Sequence, residues 1–169
     1  MNRVAILGNA GSGKSFLAAG LGSSWGLPVI ALDELFWKPP GQYQTKRPAD
    51  ELMALVDAKR LEPRWIVEGV FGELVQPFLN HADLLIWLDI PWEVSRERIE
   101  QRHSRGRRGE DVPAFLALLA YAGRYFERDD GRSQAGHRRL FEAFARHKVH
   151  LTSEDAVNEF LRTIRASDA

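Results

Sequence analysis

The apolar run Arg3-Val4-Ala5-Ile6-Leu7 passes at once into Gly8-Asn9-Ala10-Gly11-Ser12-Gly13-Lys14-Ser15, a complete G-x-x-x-x-G-K-[ST] string. A buried strand that ends in such a turn and reopens as a helix leaves few folds available. The carboxyl end of the strand has to deliver the free N–H groups of the helix N-terminus to an anion. Gly8 and Gly13 supply backbone angles closed to other residues, so that amides converge on phosphate oxygens. Lys14 is expected to reach the outer phosphates, and the Ser15 hydroxyl to complete the shell of a magnesium ion. The expected nucleotide site is therefore Gly8, Asn9, Ala10, Gly11, Ser12, Gly13, Lys14, Ser15 and Phe16, with ATP and Mg2+ as the cofactors.

The rest of the chain fits an enzyme built around that loop. Its 169 residues suffice for one domain with a real core, expected to span residues 1–169. Lys+Arg and Asp+Glu both total 23, which gives no global electrostatic case for nucleic acid or a membrane as partner. There is no cysteine, which excludes disulfides and cysteine-ligated zinc. No apolar run reaches membrane-spanning length, and the first strand begins too early to leave room for a signal peptide. A cytoplasmic location and a small-molecule partner are the expectations.

Five apolar runs read as parallel strands: Arg3 to Leu7, Pro28 to Leu32, Arg64 to Val67, Leu84 to Leu88 and Lys148 to Leu151. The first four are near-continuous rather than alternating, as strands covered on both faces are. Helical stretches lie between them: Lys14 to Trp25, Pro48 to Leu61, Gly72 to Leu79, Pro91 to His103, a hairpin region from Asp111 to Arg146, and Glu154 to Arg165. Within the hairpin, Val112, Phe115, Leu116, Leu119, Ala122 and Phe126 follow the spacing of one apolar helix face. Alternating strands and helices predict a three-layer α/β/α fold on a five-stranded parallel sheet.

Ligands of such sheets sit beyond the carboxyl ends of the strands, where three carboxylates fall. Asp33 ends the second run, either as a helix N-cap or as a carboxylate that orients an acceptor and takes its proton. The aromatic segment after it, with Trp37 and Tyr43, lines an acceptor pocket or packs on the core. Glu68 and Asp89 compete to hold the metal through water; Glu68 is favoured because Gly69 permits close approach to a ligand. Arg98 and Arg102, four apart on one helix face, are expected to neutralise charge on the transferring group. The basic stretch His103 to Gly109 is a candidate lid.

With these residues in place, the chain resembles the adenylate-kinase-like branch of small P-loop kinases, and within it proteins labelled topology-modulation-protein-like. The resemblance rests on Gly8 to Ser15, Leu32-Asp33-Glu34-Leu35-Phe36-Trp37, Trp65-Ile66-Val67-Glu68-Gly69, and Ala82 to Pro91 leading to Arg98 and Arg102. It implies a sheet of order 2-3-1-4-5, an acceptor-binding segment over about 33–61 and a short arginine-rich lid over about 103–111. It also implies ATP-facing roles for Arg98 and Arg102, and places Arg124 and Arg128 where later arginines of such kinases touch phosphates. True adenylate kinases follow the third strand with Asp-Gly-x-Pro-Arg; Glu68-Gly69-Val70-Phe71 lacks the proline and the arginine, which weakens the case for a nucleoside-monophosphate acceptor. The activity these features lead us to expect is a Mg-ATP-dependent phosphotransferase. Lys14, Asp33, Glu68, Arg98 and Arg102 are its expected catalytic set; Asp33, Trp37, Glu68, Gly69, Arg124 and Arg128 meet the acceptor, a nucleoside, nucleotide or similar polar molecule. The alternative is a nucleotide switch or slow ATPase with Asp89 at the metal.

Overall fold

The computed structural model describes residues 1–38, 45–104 and 112–167. In chain order the elements are β1 (Arg3–Gly8), α1 (Lys14–Trp25), β2 (Val29–Ala31), α2 (Leu32–Phe36), α3 (Ala49–Arg60), β3 (Trp65–Gly69) and α4 (Gly72–Leu79). They continue as β4 (Leu84–Leu88), α5 (Trp92–Ser104), α6 (Val112–Gly123), a 3-10 turn (Arg124–Phe126), α7 (Gln134–Ala143), β5 (His147–Leu151) and α8 (Glu154–Ser167). All five strands are parallel, in the order β2-β3-β1-β4-β5.

Side chains alternate across the pleat, so each central strand feeds two cores at once. Val4, Ile6, Ile66, Leu84, Ile86 and Leu88 pack against Leu17, Ala18 and Leu21 of α1 and Val157 and Leu161 of α8. Ala5, Leu7, Trp65, Val67, Leu85 and Trp87 face the other way, toward Leu32, Phe36, Val56, Val75, Phe78 and Phe144. This double burial is why the strand runs are apolar without interruption. Burying a large apolar side chain contributes about 1.5–3 kcal/mol, so these two layers dominate the folding free energy.

Two local readings change. The second strand stops at Ala31, and fully buried Leu32 opens α2 instead of closing β2. The Val112 stripe is not a core face: of its six residues only Ala122 is buried, and Val112, Leu116 and Phe126 are exposed. α6 is apolar nearly all round, so spacing alone selects no face. It leans on α5, with Phe115 stacked on His103 at 3.8 Å between ring centroids, rather than on the sheet.

Candidate active site

The loop between β1 and α1 takes the form an anion cradle requires. Gly11 and Gly13 have φ of 75° and 97°, in the left-handed region. A Cβ at Gly8 would lie 2.7 Å from both the Leu88 carbonyl and Ser12 Oγ, so the turn closes only on glycine. α1 starts at Lys14, and the amides of its first turn have no carbonyl behind them in the helix. Lys14, only 9% exposed, lies across the loop and donates from Nζ to the Asn9 carbonyl at 2.8 Å. Asn9 is fixed at both ends of its amide: Oδ1 accepts from the Ala10 amide (2.8 Å) and Nδ2 donates to the Ala122 carbonyl (2.9 Å). That second bond ties the end of α6 to the loop. Ser12 Oγ is buried with no hydrogen-bond partner. Unpaired first-turn amides, a buried ammonium and an orphaned hydroxyl fit a polyphosphate. Phe16 adds its main chain to the first turn, while its side chain is 62% exposed.

Pleat parity separates the two competing carboxylates. Glu68 shares the face of Ile66, which is the α1 face, and the register sets it beside Ile6. Glu68 is 5% exposed as a residue, and its carboxylate accepts from the Ser15 hydroxyl at 2.8 Å. A hard-oxygen pair of this kind beside a phosphate cradle suits Mg2+. Asp89 shares the opposite face with Leu85 and Trp87. It accepts from Gln134 Nε2 at both oxygens (3.0 and 3.1 Å) and lies 3.2 Å from His150 Nε2. The structure brings Ser15 and Glu68 together and turns Asp89 toward α7.

A buried polar relay runs from Trp87 through Tyr125 and His137 to Val70. His137 Nε2 is 2.9 Å from the Val70 carbonyl, which can only accept, so Nε2 carries the hydrogen. Nδ1 then accepts from the Tyr125 hydroxyl at 2.8 Å, and the Tyr125 oxygen accepts from Trp87 Nε1 at 3.3 Å. Burial, with the Lys14 charge adding to it against the Val70 bond, pushes the His137 imidazole down to about 4. Burial likewise raises the Tyr125 phenol well above its usual range. Both groups are neutral at pH 7, and the relay fixes the Val70 carbonyl at the exit of β3.

Asp33 sits in the first turn of α2, past the cap position at Ala31, so it is not the N-cap. It is half-buried, and no hydrogen bond among the described residues engages its carboxylate. Trp37 packs edge-on against Phe36 (4.9 Å between centroids), and Phe36 stacks on Phe71 at 4.4 Å. Arg98 reaches the loop from its carbonyl side. It donates to the carbonyls of Gly11 (3.3 Å) and Ser12 (2.9 Å) and pairs with Glu154. Arg102 is exposed one turn on, and Arg124 is exposed, 3.9 Å from Glu127. Tyr43 and the lid residues Arg105 to Gly109 lie outside the described residues, as does the rest of the expected lid to Asp111.

Arg128 opens a feature not visible in the sequence: a cleft of about 320 Å³ lined by Glu73, Tyr121, Arg128, Asp130, Gly131 and Arg132. Arg132 donates from Nε to Glu73 (2.6 Å) and pairs with it through a second nitrogen. Its guanidinium lies over Phe71 (4.5 Å) and Phe36 (5.2 Å). Burial works against the Arg132 charge, but the hydrogen bond and charge of Glu73 outweigh it and raise its pKa. Arg128 stacks on Tyr121 at 3.8 Å and pairs with Asp130 at 3.3 Å. The cleft adjoins the loop through α6, since Tyr121 precedes the Ala122 carbonyl held by Asn9. Arg132 and Glu73 are 59 residues apart, so the only local signal was the basic run around Arg128.

Among the described residues there is no group of three His, Cys, Asp or Glu able to hold a metal, and no helix is long and apolar enough to cross a membrane. No protein-family model and no curated protein matches the chain. Solved structures do match it. A gluconokinase from Sinorhizobium meliloti 1021 is 17% identical, with 99% of this chain and 91% of that one covered at a TM-score of 0.57. A shikimate kinase from Bacteroides thetaiotaomicron is 15% identical over 98% and 97% of the two chains, at 0.56. The shikimate kinase from Aquifex aeolicus vf5 is 17% identical over 98% and 97%, at 0.53. The fold is that of these small P-loop kinases, with the strand order expected from the sequence.

Proposed function

We propose that the chain is a Mg-ATP-dependent phosphotransferase acting on a small polar acceptor. The observation that carries this reading is the 2.8 Å bond from Ser15 to buried Glu68, beside Lys14 and the unpaired first-turn amides. The loop amides and Lys14 would hold the polyphosphate, while Ser15 would ligate Mg2+ and Glu68 would hold it through water. Mg-ATP, when bound, supplies the phosphoryl group and spreads its charge. Asp33 would orient the acceptor hydroxyl and take its proton, and bound ATP would supply the γ-phosphoryl group, with ADP as the leaving group carrying off the electron pair of the bond broken. Arg98 and Arg102 neutralise charge during the transfer, which requires Arg98 to exchange its loop and Glu154 bonds for phosphate. Catalysis is positioning and charge neutralisation, with no covalent enzyme intermediate.

We further read the chain as one cytoplasmic P-loop kinase domain of the topology-modulation-like kind, with residues of about 33–61 on the acceptor side. The switch alternative is less well supported, because the carboxylate it needs at the metal, Asp89, is engaged by Gln134 and His150.

The test is ADP release across nucleosides, nucleotides and hydroxylated metabolites. One acceptor should raise ATP consumption well above the basal rate. Lys14→Ala should lower that turnover by about 1,000-fold or more with the melting temperature little changed. Asp33→Asn should lower it while nucleotide affinity stays near wild type. Full activity in Asp33→Asn would remove its assigned role.

A further inference from the structure

We propose that the cleft between α4, α6 and the Asp130-Gly131-Arg132 turn receives an uncharged, hydroxyl-rich acceptor and disfavours phosphate esters. The inference rests on the phosphotransferase reading and narrows its acceptor.

Two arginines in a cleft ordinarily suggest an anion site. Here each guanidinium already has a carboxylate within the same wall, and of their nitrogens Arg128 Nε alone is buried without a hydrogen-bond partner. Arg132 is forked onto Glu73, and Arg128 is paired with Asp130 and donates to the Arg132 carbonyl at 3.0 Å. The four charged side chains sum to zero. The faces of both guanidinium groups are also taken, by Tyr121 on Arg128 and by Phe71 and Phe36 on Arg132.

The pairs cannot easily drift apart to admit an anion. The Gly72 amide donates to the Gly131 carbonyl at 3.0 Å, and a Cβ at Gly72 would stand 2.1 Å from that oxygen. The N-terminus of α4, which carries Glu73, therefore touches the turn that carries Arg132, backbone on backbone. Asp130 is held as well, since its Oδ1 accepts from the Arg132 amide at 2.8 Å. A phosphate ester entering here has to displace a carboxylate from its arginine and then remain beside it, like charge against like. Hydroxyls meet no such penalty. Glu73 and Asp130 have exposed oxygens with lone pairs to spare, and the outer N–H groups of Arg128 and Arg132 donate. Alternating carboxylates and guanidinium edges beside Tyr121 match the alternating donors and acceptors of a sugar, a polyol or the ribose of a nucleoside.

The test uses the full chain with Mg-ATP and matched pairs that differ by one phosphate: glucose and glucose 6-phosphate, ribose and ribose 5-phosphate, adenosine and AMP, cytidine and CMP. ADP release gives kcat/KM, and ligand-observed NMR with a non-hydrolysable ATP analogue gives binding independently of transfer. For at least one pair the uncharged member should be favoured by about tenfold or more, in transfer or in binding. The pair that responds separates sugar from nucleoside. Glu73→Gln removes one carboxylate and should shrink the ratio by about threefold or more, as should Asp130→Asn, whose amide oxygen still accepts from the Arg132 amide. Preference for the phosphate ester, an unaltered ratio in both variants, or no binding of any uncharged member overturns the inference. Selective binding of the uncharged members with no phosphoryl transfer leaves the inference standing and removes the kinase reading.

Discussion

The carboxyl ends of β3 and β4 look alike in sequence, each an apolar run closed by an acid, yet the fold gives them different partners. Glu68 lies on the pleat face covered by α1, two residues beyond Ile66, and meets Ser15 at the phosphate loop. Asp89 lies on the face shared with Trp87, where Gln134 and His150 take its oxygens. The chemistry of the two groups is the same. What differs is which helix the strand's even and odd residues face, and that is a property of the layers. Of the two, only Glu68 shares the face covered by the helix that follows the phosphate loop.

The strongest way to break this contrast is Glu68→Gln. Turnover should fall by about 100-fold or more and the Mg2+ requirement should rise, while the fold is kept. Near wild-type turnover with an unchanged Mg2+ titration would place the working carboxylate elsewhere.

The next effect belongs to the Asp89 side and is one of stability. His137 has a pKa of about 4 in the folded chain and an ordinary value of 6.5 unfolded. Between those values the unfolded chain binds the proton and the folded chain does not. The contribution is therefore complete above about pH 6.5 and is lost progressively as pH falls toward 4, amounting to about 3 kcal/mol in all. Urea unfolding at pH 7.5 and pH 4.5 reads the loss, and His137→Gln should flatten it. An equal pH slope in that variant would detach the effect from the relay.

Asp89→Asn should give the smallest change. Its amide oxygen still accepts from Gln134, so stability should drop by about 1 kcal/mol and turnover should stay within about threefold. A collapse of turnover with unchanged stability would reverse the assignment of the two strand ends.

Much of this was legible along the chain. The phosphate loop and the parallel strands followed from Gly8 to Ser15 and from runs such as Leu84 to Leu88, because double burial writes a continuous apolar signal in the central strands, while the order 2-3-1-4-5 came from the family resemblance. Asp33, Glu68 and Asp89 were found by one rule, that ligands gather where strands end. The face of α6 was not legible, because a helix apolar nearly all round carries no period from which to choose. The Glu73–Arg132 pair, the His137 bond to Val70 and the Asn9 bond to Ala122 each join residues at least 59 positions apart.

By itself the sequence determined the phosphate cradle, since glycines at 11 and 13 and a lysine at 14 are local backbone and side-chain requirements, whereas Gly8 is demanded by the Leu88 carbonyl of the neighbouring strand. It also determined the sheet, through hydrophobic runs that only a three-layer α/β/α stack can bury. Tertiary structure alone decided which carboxylate faces Ser15 and how the arginines of the cleft are neutralised. The local sequence could favour Glu68 through Gly69, but these outcomes depend on contacts between distant elements, which no window of neighbouring residues encodes.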